Sequence, residues 1–193
     1  MPHNGLTLLF LGQTGAGKSE TGNTILGRRA FRAHSGITTY DEVRIESFEY
    51  NGLQLKLVDG PGFDMDRVLF QRFISNIGAT LGHGVDVFIV VLKYGNRFNK
   101  ENADCVMLLK KNFGSDFYRN FCVVLFTNGD KYEDDHEECY EKSELFGEYC
   151  SKLSGGDKKL VDECAGAVLF NNKTKDVNVK ERQMESLLYL IAK

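Results

Sequence analysis

The stretch Gly12-Gln13-Thr14-Gly15-Ala16-Gly17-Lys18-Ser19 decides the fold of this chain. It fits the pattern G-x-x-x-x-G-K-[ST], a loop that holds phosphate groups between a strand and a helix. Its glycines let successive backbone N–H groups point inward as an anion-binding concavity, and the N-terminus of the next helix adds positive charge. The apolar run 6–11 before the loop predicts a buried strand, and residues 19–26 after it can form a helix.

The side chains of this loop have separate chemical tasks. Lys18 can bring a full positive charge to the β- and γ-phosphates, and the Ser19 hydroxyl can ligate Mg²⁺. A glycine-rich turn that binds nothing is the alternative, and the flanking strand and helix disfavour it. The residues predicted to contact the phosphates are Gly12, Thr14, Gly15, Ala16, Gly17, Lys18, Ser19 and Glu20.

Composition places the chain among ordinary globular proteins. Its 193 residues are 42% hydrophobic and 26% charged, enough for one domain with a layered core. A net charge of −3 argues against a general nucleic-acid-binding protein, which would present a basic face. No apolar run is long enough to span a bilayer. Five cysteines without a C-x-x-C pair favour reduced thiols, so we expect a cytoplasmic protein, with peripheral attachment to an intracellular membrane left open.

Strand-like runs alternate with helix-length segments, the pattern of a parallel sheet with crossover helices. Residues 43–48 and 53–58 alternate in polarity around Asn51-Gly52, which predicts an antiparallel hairpin. Residues 85–92 and 121–126 are almost continuously apolar, which predicts central strands buried on both faces. We therefore predict an α/β P-loop fold in a single domain. It has a mostly parallel six-stranded sheet, one antiparallel edge strand and helices on both faces.

Two helical segments are interpreted from their side chains. In residues 100–113, an apolar stripe that includes Val106, Met107 and Leu109 is predicted to face the sheet. Residues 134–153 are acidic and are interpreted as a solvated outer helix that ends at Ser154-Gly155-Gly156-Asp157.

A magnesium site is predicted from two loops besides the phosphate loop. Asp59-Gly60-Pro61-Gly62 has the form D-x-x-G, in which the carboxylate holds Mg²⁺ through water and the Gly62 N–H contacts the γ-phosphate. Thr38, or less favoured Thr39, can close over the ion and the γ-phosphate. An ordinary turn and an ordinary loop threonine are the alternatives. The predicted metal ligands are Ser19, Thr38 and, through water, Asp59.

The stretch Thr127-Asn128-Gly129-Asp130 follows the predicted buried strand at residues 121–126 and is predicted to recognise the nucleotide base. The Asp130 carboxylate can accept from the N1–H and exocyclic amine of guanine, and adenine would leave it unpaired. The usual form is [NT]-K-x-D, whereas position 128 here is Asn. Asn171 and Asn172 follow the last strand, and either can hold the base edge or orient Asp130, with Asn172 favoured. An Asn-Gly-Asp turn without a ligand is the alternative.

Phe63 stands where many GTPases place a Gln that orients the attacking water. Hydrolysis is then slow, or another residue or chain supplies the missing group. Arg97, after the predicted central strand at residues 85–92, is a candidate donor across a dimer, and a solvated loop arginine is an equal alternative. The candidate catalytic residues are Lys18, Ser19, Thr38, Gly62 and, in trans, Arg97.

These motifs occur in an order that resembles the GIMAP family of immunity-associated GTPases, over residues 5–192. The matching stretches are GQTGAGKSETGNTILG, ITTY, VDGPGFD, FIVVLKYGNRFNKENADCVMLLKKNFG, VVLFTNGD and ECAGAVLFNNK. The family is related to plant avirulence-induced proteins and, more distantly, to chloroplast-import GTPases and septins. The resemblance implies a Ras-like G domain that binds GTP and GDP with Mg²⁺, and GTP-favoured dimers or oligomers across the nucleotide face.

Family members have an apolar replacement of the catalytic Gln, which matches Phe63, and a Gly-Arg-Phe/Tyr loop that Asn96-Arg97-Phe98 resembles. The chain departs from the family at Asn128, where a basic residue is usual, and at Gly60, where Thr is frequent. It also stops before the C-terminal helices or anchors through which some members act on membranes, so we expect that the natural chain can be longer.

Three functions are compatible with these residues. The first is a slow GTPase accelerated by dimerisation, and the second is a GTP-dependent scaffold with negligible hydrolysis. Phe63 favours the scaffold, and Arg97 keeps the enzyme open. An ATP-dependent kinase or ATPase is the third, and it requires Asp130 to be only a turn residue.

Overall fold

The computed structural model of the protein describes residues 5–31, 44–62, 66–82, 84–136 and 142–193. Strands and helices alternate along them. In chain order they are β1 (Gly5–Gly12), α1 (Lys18–Leu26), β2 (Arg44–Tyr50), β3 (Leu53–Gly62), α2 (Arg67–Leu81), β4 (Val87–Lys93), α3 (Lys100–Phe113), α4 (Phe117–Phe121), β5 (Cys122–Thr127), α5 (Gly129–Asp135), α6 (Lys142–Lys152), α7 (Gly155–Glu163), β6 (Ala167–Leu169) and α8 (Val177–Ile191).

The strands form one six-stranded sheet in the order β2-β3-β1-β4-β5-β6. β1 pairs in parallel with β3 and β4, and β5 pairs in parallel with β4 and β6. β2 alone runs antiparallel, against β3 at the edge. The predicted sheet is therefore confirmed, including its antiparallel edge strand.

The hairpin between β2 and β3 turns at the predicted dipeptide. Asn51 has a φ of 50° and Gly52 a φ of 80°, so both central residues are left-handed. Two such residues twist the chain in the sense that flanking strands need, which is why Asn-Gly is favoured in two-residue hairpins. The turn brings Tyr50 opposite Leu53 and sets the register of the whole strand pair.

The sheet separates two hydrophobic cores because its central strands are buried on both faces. Leu9, Val90 and Val124 point to the face covered by α2 and α3. Leu8 and Ile89 point to the opposite face, where α1 and α8 pack. Each fully buried aliphatic side chain stabilises the fold by about 1.5–3 kcal/mol relative to exposure. Helices cover both faces, as predicted.

The buried face of α3 differs from the predicted stripe. Asn102, Cys105 and Leu109 are buried there, whereas Met107 is 63% exposed. Residues three and four apart share one face of a helix, and Met107 lies two residues from both Cys105 and Leu109. Apolar character alone therefore assigned Met107 to the wrong side.

The acidic stretch after β5 is not one solvated helix. Helix α5 ends at Asp135, and α6 spans 142–152. The rings of Phe146 and Tyr149 on α6 pack edge-on against the ring of Phe126, each with its centroid 5.9 Å from the Phe126 centroid. The predicted break after this stretch is confirmed, because α6 ends at Lys152 and Ser154 is the extended N-cap residue of α7. It is shorter than predicted, since α7 already begins at Gly155. Within the described ranges, no helix is both long and apolar enough to cross a membrane.

Candidate functional site

The parallel strands β1, β3, β4, β5 and β6 end at one edge of the sheet, where the described loops that follow them also lie. Because carboxyl ends of parallel strands share one edge, residues far apart in sequence become neighbours there. Every predicted site residue in the described part of the chain lies in or beside these loops. Thr38 and Phe63 lie outside the described residues.

The phosphate loop joins β1 to α1 and wraps around the end of a lysine side chain. The Lys18 ammonium donates to the carbonyls of Gly12, at 2.9 Å, and Gln13, at 3.0 Å. Gly15 and Gly17 have φ values of 78° and 100°, which L side chains rarely adopt. The loop therefore needs its glycines, and it holds the lysine charge at the start of α1.

Two close contacts brace this loop against the neighbouring strands. A Cβ atom at Gly12 would lie 2.4 Å from the Val91 carbonyl oxygen, so no side chain fits there. From the other side, the buried Thr127 hydroxyl donates to the Ala16 carbonyl at 2.7 Å. Thr127 thus supports the loop from β5. Its predicted contact with the nucleotide stays a prediction.

The exposed tip of the loop and the first turn of α1 complete the predicted phosphate contacts. Thr14 and Gly15 are exposed at the tip, and Ala16 is buried beneath it. Glu20 is exposed in the first turn of α1, where a carboxylate faces the positive end of the helix. The contacts of these residues with phosphate stay predictions.

Ser19 and Asp59 meet beside the loop, as the magnesium prediction requires. The Ser19 hydroxyl donates to Asp59 Oδ2 at 2.7 Å, while the buried Oδ1 has no partner among the described residues. Burial raises the pKa of the Asp59 carboxyl above its usual value, despite the Ser19 hydrogen bond and the charges of Lys18 and Arg44. Oxygen donors with one open carboxylate position fit Mg²⁺.

The D-x-x-G segment is part of a strand rather than a break after it. β3 continues to Gly62, which pairs with Gly12 after a register shift that follows Phe10. A Cβ at Gly60 would lie 2.3 Å from the Phe10 carbonyl oxygen, so a threonine at this position would clash. The strand carries Gly62 to the phosphate loop. Its contact with a γ-phosphate stays a prediction.

Two loops touch on the opposite side of the site. The Gly129 N–H donates to the Phe170 carbonyl at 3.0 Å, and a Cβ at Gly129 would lie 2.7 Å from the Asn171 nitrogen. Asn128, with a φ of 62°, is the N-cap residue of α5, which places Asp130 in the first turn of that helix. The β5–α5 and β6–α8 loops therefore support each other.

Asp130 forms an ion pair with Lys173, a residue to which the sequence reasoning assigned no role. The hydrogen bond from Lys173 lowers the pKa of the Asp130 carboxyl, so this group is ionised at neutral pH. The signal for Lys173 was its place at the end of the Phe170-Asn171-Asn172-Lys173 stretch. Only the fold brings its ammonium to Asp130.

The structure separates the two candidate asparagines by their hydrogen bonds. Asn171 is buried, its Oδ1 accepts from the N–H groups of Lys173 and Thr174, and its amide nitrogen donates to Glu133. Asn172 donates to Thr21 at 2.9 Å, and its buried Oδ1 lacks a partner in the described ranges. Asn171 therefore folds its own loop, and Asn172 retains an open acceptor.

Arg97 is exposed in the β4–α3 loop and borders a cavity of about 190 Å³. The phosphate loop, residues 13–16, lines the same cavity, together with residues 91–93, Asn96, Phe98, Asn102 and Asp157. Arg97 thus lies next to the phosphate loop of its own molecule. Action across a dimer stays a prediction.

Comparisons with known proteins agree with this geometry. The model of the AIG1 family matches residues 6–193. Immune-associated nucleotide-binding proteins 9 and 12 of Arabidopsis thaliana are 34% and 33% identical to this chain over 193 and 190 residues. These alignments cover 96% and 94% of the chain but 54% and 46% of the relatives, so the chain spans about half of their length.

Among solved structures, the chain is similar to Toc33 from Arabidopsis thaliana in complex with GDP and Mg²⁺. The TM-score is 0.65 at 19% identity, and the match covers 98% of this chain and 83% of Toc33. A dimerisation-deficient arginine-to-alanine variant of Toc33 matches with a TM-score of 0.66 at 18% identity, covering 97% and 83%. Dimerisation is described as important for the GTPase activity of Toc33 and Toc159. At these identities the likeness shows the fold.

Proposed function

The chain belongs to the AIG1 family, and on this premise we propose that it is a guanine-nucleotide switch that binds GTP and GDP with Mg²⁺. The observation that carries the proposal is the Ser19–Asp59 pair, with its open carboxylate oxygen, beside the Lys18 loop. A strand-end turn that bound nothing would have no use for a buried, unpartnered carboxylate oxygen, because burying one costs free energy. The two Arabidopsis thaliana relatives described above are named as nucleotide-binding proteins.

On the phosphate side, the proposed roles follow from the present contacts. Lys18 would exchange the Gly12 and Gln13 carbonyls for phosphate oxygens, and the loop N–H groups would surround the β-phosphate. Ser19 and Asp59 would hold Mg²⁺, which supplies charge neutralisation at the β- and γ-phosphates when it is bound. Gly62 would donate its N–H to the γ-phosphate, and Thr38 would close over it.

On the base side, we assign guanine selection to Asp130. Its ionised carboxylate matches the two N–H donors that guanine presents along one edge. Asn172, whose buried Oδ1 has no partner among the described residues, would supply the second acceptor for the base edge. Thr127 and Asn171 would act indirectly, since both use their polar groups to hold the two loops.

Hydrolysis is proposed to be slow in the monomer and accelerated by assembly. Phe63 cannot orient a water molecule. Among the described residues, Arg97 and Lys93 are the two cationic residues that line the cavity beside the phosphate loop, and of the two Arg97 is exposed in the loop after β4. The importance of dimerisation for Toc33 activity supports a GTP-dependent dimer or oligomer here. The alternative, favoured by Phe63 alone, is a scaffold that assembles with GTP and does not hydrolyse it.

Nucleotide identity is tested by thermal unfolding with GDP–Mg²⁺ and, separately, ADP–Mg²⁺. A ligand that binds only the folded state at 100 times its Kd stabilises it by about 2.7 kcal/mol. We expect GDP to raise the Tm and ADP to leave it unchanged. Equal protection by ADP would contradict the guanine assignment and favour an ATP-dependent enzyme.

Assembly is tested by measuring the mass in solution with GDP and with a non-hydrolysable GTP analogue, together with GTP turnover at increasing protein concentration. We expect a larger species with the analogue and a turnover per molecule that rises with concentration. Assembly with flat turnover near zero would identify the scaffold. A monomer in both nucleotides with flat turnover would contradict the assembly proposal.

A further inference from the structure

The loop that carries Arg97, residues 94–99, is anchored at both ends. At its start, the Tyr94 hydroxyl donates to Asp135 on α5 at 3.0 Å. At its end, Asn99 caps α3 by accepting from the Asn102 N–H at 3.0 Å. Such bonds to two separate helices limit the conformations open to the short segment between them.

Phe98, within this loop, packs against the start of α7, a helix that begins much later in the sequence, at Gly155. Phe98 is partly buried against the core shared with α7. A Cβ atom at Gly156 would lie only 2.2 Å from Phe98 Cδ1, so the ring rests on the glycine backbone. The backbone N–H of Phe98 faces the Asp157 carboxyl, where it opposes the rise that burial causes in the pKa of this group. The ring of Phe98 is therefore packed on α7, and its backbone N–H faces the same helix start.

Arg97 directly precedes Phe98, so the packing of Phe98 on α7 also limits the backbone conformations of Arg97. Its side chain is exposed and borders the cavity that the phosphate loop also lines. With the backbone around it held, the guanidinium has only its own rotamers to search. A cation held near the place where charge develops needs less ordering when the reaction occurs.

We propose that Gly156 and Asp157 are positioning residues for Arg97, because they seat Phe98 on α7 and so direct the guanidinium to the phosphate-loop cavity. This inference rests on the proposed function, which assigns Arg97 to the phosphates. It adds α7 to the machinery, and it applies whether the cavity that Arg97 serves belongs to its own molecule or to a partner copy.

The first test is Gly156→Ala, with Gly78→Ala on α2 as the matched control. The Gly156 substitution displaces the Phe98 ring, whereas a Cβ at Gly78 meets nothing within 4 Å. Alanine favours a helix over glycine, so neither helix is weakened. We expect Gly156→Ala to lower GTP turnover at high protein concentration by about 10- to 100-fold, with GDP affinity within about twofold of the parent. Gly78→Ala should change neither.

A double-mutant cycle separates positioning from packing. In an Arg97→Ala background, Gly156→Ala should cause no further loss of turnover, because the group it positions is gone. Phe98→Leu, which shortens the side chain that the new methyl meets, should restore part of the turnover of Gly156→Ala. Asp157→Asn keeps an acceptor for the Phe98 N–H and should be milder than Asp157→Ala.

Three results would overturn the inference. They are parental turnover in Gly156→Ala, an equal loss of turnover from Gly156→Ala with and without Arg97, and parental turnover in Arg97→Ala. Protection by GDP is measured on every variant, and it confirms that each one folds. Absence of GDP protection in the parent protein would instead contradict the proposed function itself, so the two failures are distinguishable.

Discussion

The phosphate side and the base side of the site are built in different ways. On the phosphate side, Lys18 bonds the carbonyls of Gly12 and Gln13, six and five residues before it. On the base side, Lys173 reaches Asp130 across 43 residues, and Asn172 reaches Thr21 across 151. The phosphate loop bonds its own lysine within one short stretch of chain, although Asp59, Val91 and Thr127 brace it. The ion pair and amide contact of the base side, in contrast, exist only when separate elements have packed.

The comparison teaches where substitutions can be absorbed. The phosphate loop depends on backbone conformations and on close approaches such as the one between Gly12 and Val91, so few residues can be exchanged there. On the base side, position 128 lacks the usual lysine, yet a lysine at 173 contacts Asp130 from the neighbouring loop. A half assembled from several elements therefore brings together side chains from distant places in the sequence.

The largest effect is expected from Lys18→Ala on the phosphate side. It removes a buried ammonium that would contact two phosphates, and charge-assisted hydrogen bonds are the strong ones. We expect GDP affinity to fall by at least about 100-fold in calorimetry. Lys111→Ala, an exposed change on α3, is the control and should be silent. Retained affinity in Lys18→Ala would remove the phosphate assignment.

Asp130→Asn is the corresponding change on the base side. The amide presents a donor where guanine needs an acceptor, so GDP affinity should fall by about 10- to 100-fold while xanthosine diphosphate gains. Measurement of both affinities isolates base recognition, because the phosphate contacts of the two ligands are the same. An unchanged preference for GDP would show that another group reads the base.

Glycine-to-alanine substitutions test how closely the backbone is packed in each half, through the free energy of unfolding. Gly12→Ala places a methyl 2.4 Å from the Val91 oxygen, and Gly129→Ala places one 2.7 Å from the Asn171 nitrogen. We expect each to lower the free energy of unfolding by about 1–3 kcal/mol. Gly147→Ala in α6, where a Cβ meets nothing within 4 Å, is the control. Denaturant titration checks all three, and a loss in the control would make the comparison void.

Asp59→Asn tests the open carboxylate oxygen through pH. Burial raises the folded-state pKa of Asp59, so its ionised form counts against stability, and stability from this group is lost as pH rises through that pKa. Without nucleotide, the variant should be at least as stable as the parent at neutral pH, with the difference shrinking in acid. Added Mg²⁺ should enhance GDP protection in the parent only. A variant less stable without ligand would contradict this account.

The smallest effect is expected from Lys173→Ala. Its ion pair with Asp130 is largely solvent-exposed, and exposed pairs contribute little. GDP affinity should change by less than about threefold, and the pKa of Asp130 should rise towards its ordinary value, which NMR titration can follow. An effect as large as that of Asp130→Asn would mean that Lys173 itself contacts the base.

Much of the fold followed from the sequence because its signals are local. Alternation around Asn51-Gly52 predicted the hairpin, and two apolar runs predicted β4 and β5. The predictions of buried helix faces were wrong where burial depends on which other element of the chain covers the helix. Met107 is apolar but faces away from the sheet, and an acidic stretch contributes Phe146 and Tyr149 to an aromatic cluster. Composition does not reveal which side of a helix will be covered.

The sequence by itself determined the phosphate loop, the candidate ligands Ser19 and Asp59 at the start of a helix and the end of a strand, and the position of Asp130 after a buried strand. These depend on backbone conformations and strand ends that a few consecutive residues specify. Only the tertiary structure decided that Asn171 holds its own loop while Asn172 keeps an open acceptor, and that α7 seats the loop of Arg97. Both depend on contacts between residues distant in the chain, which no local pattern encodes.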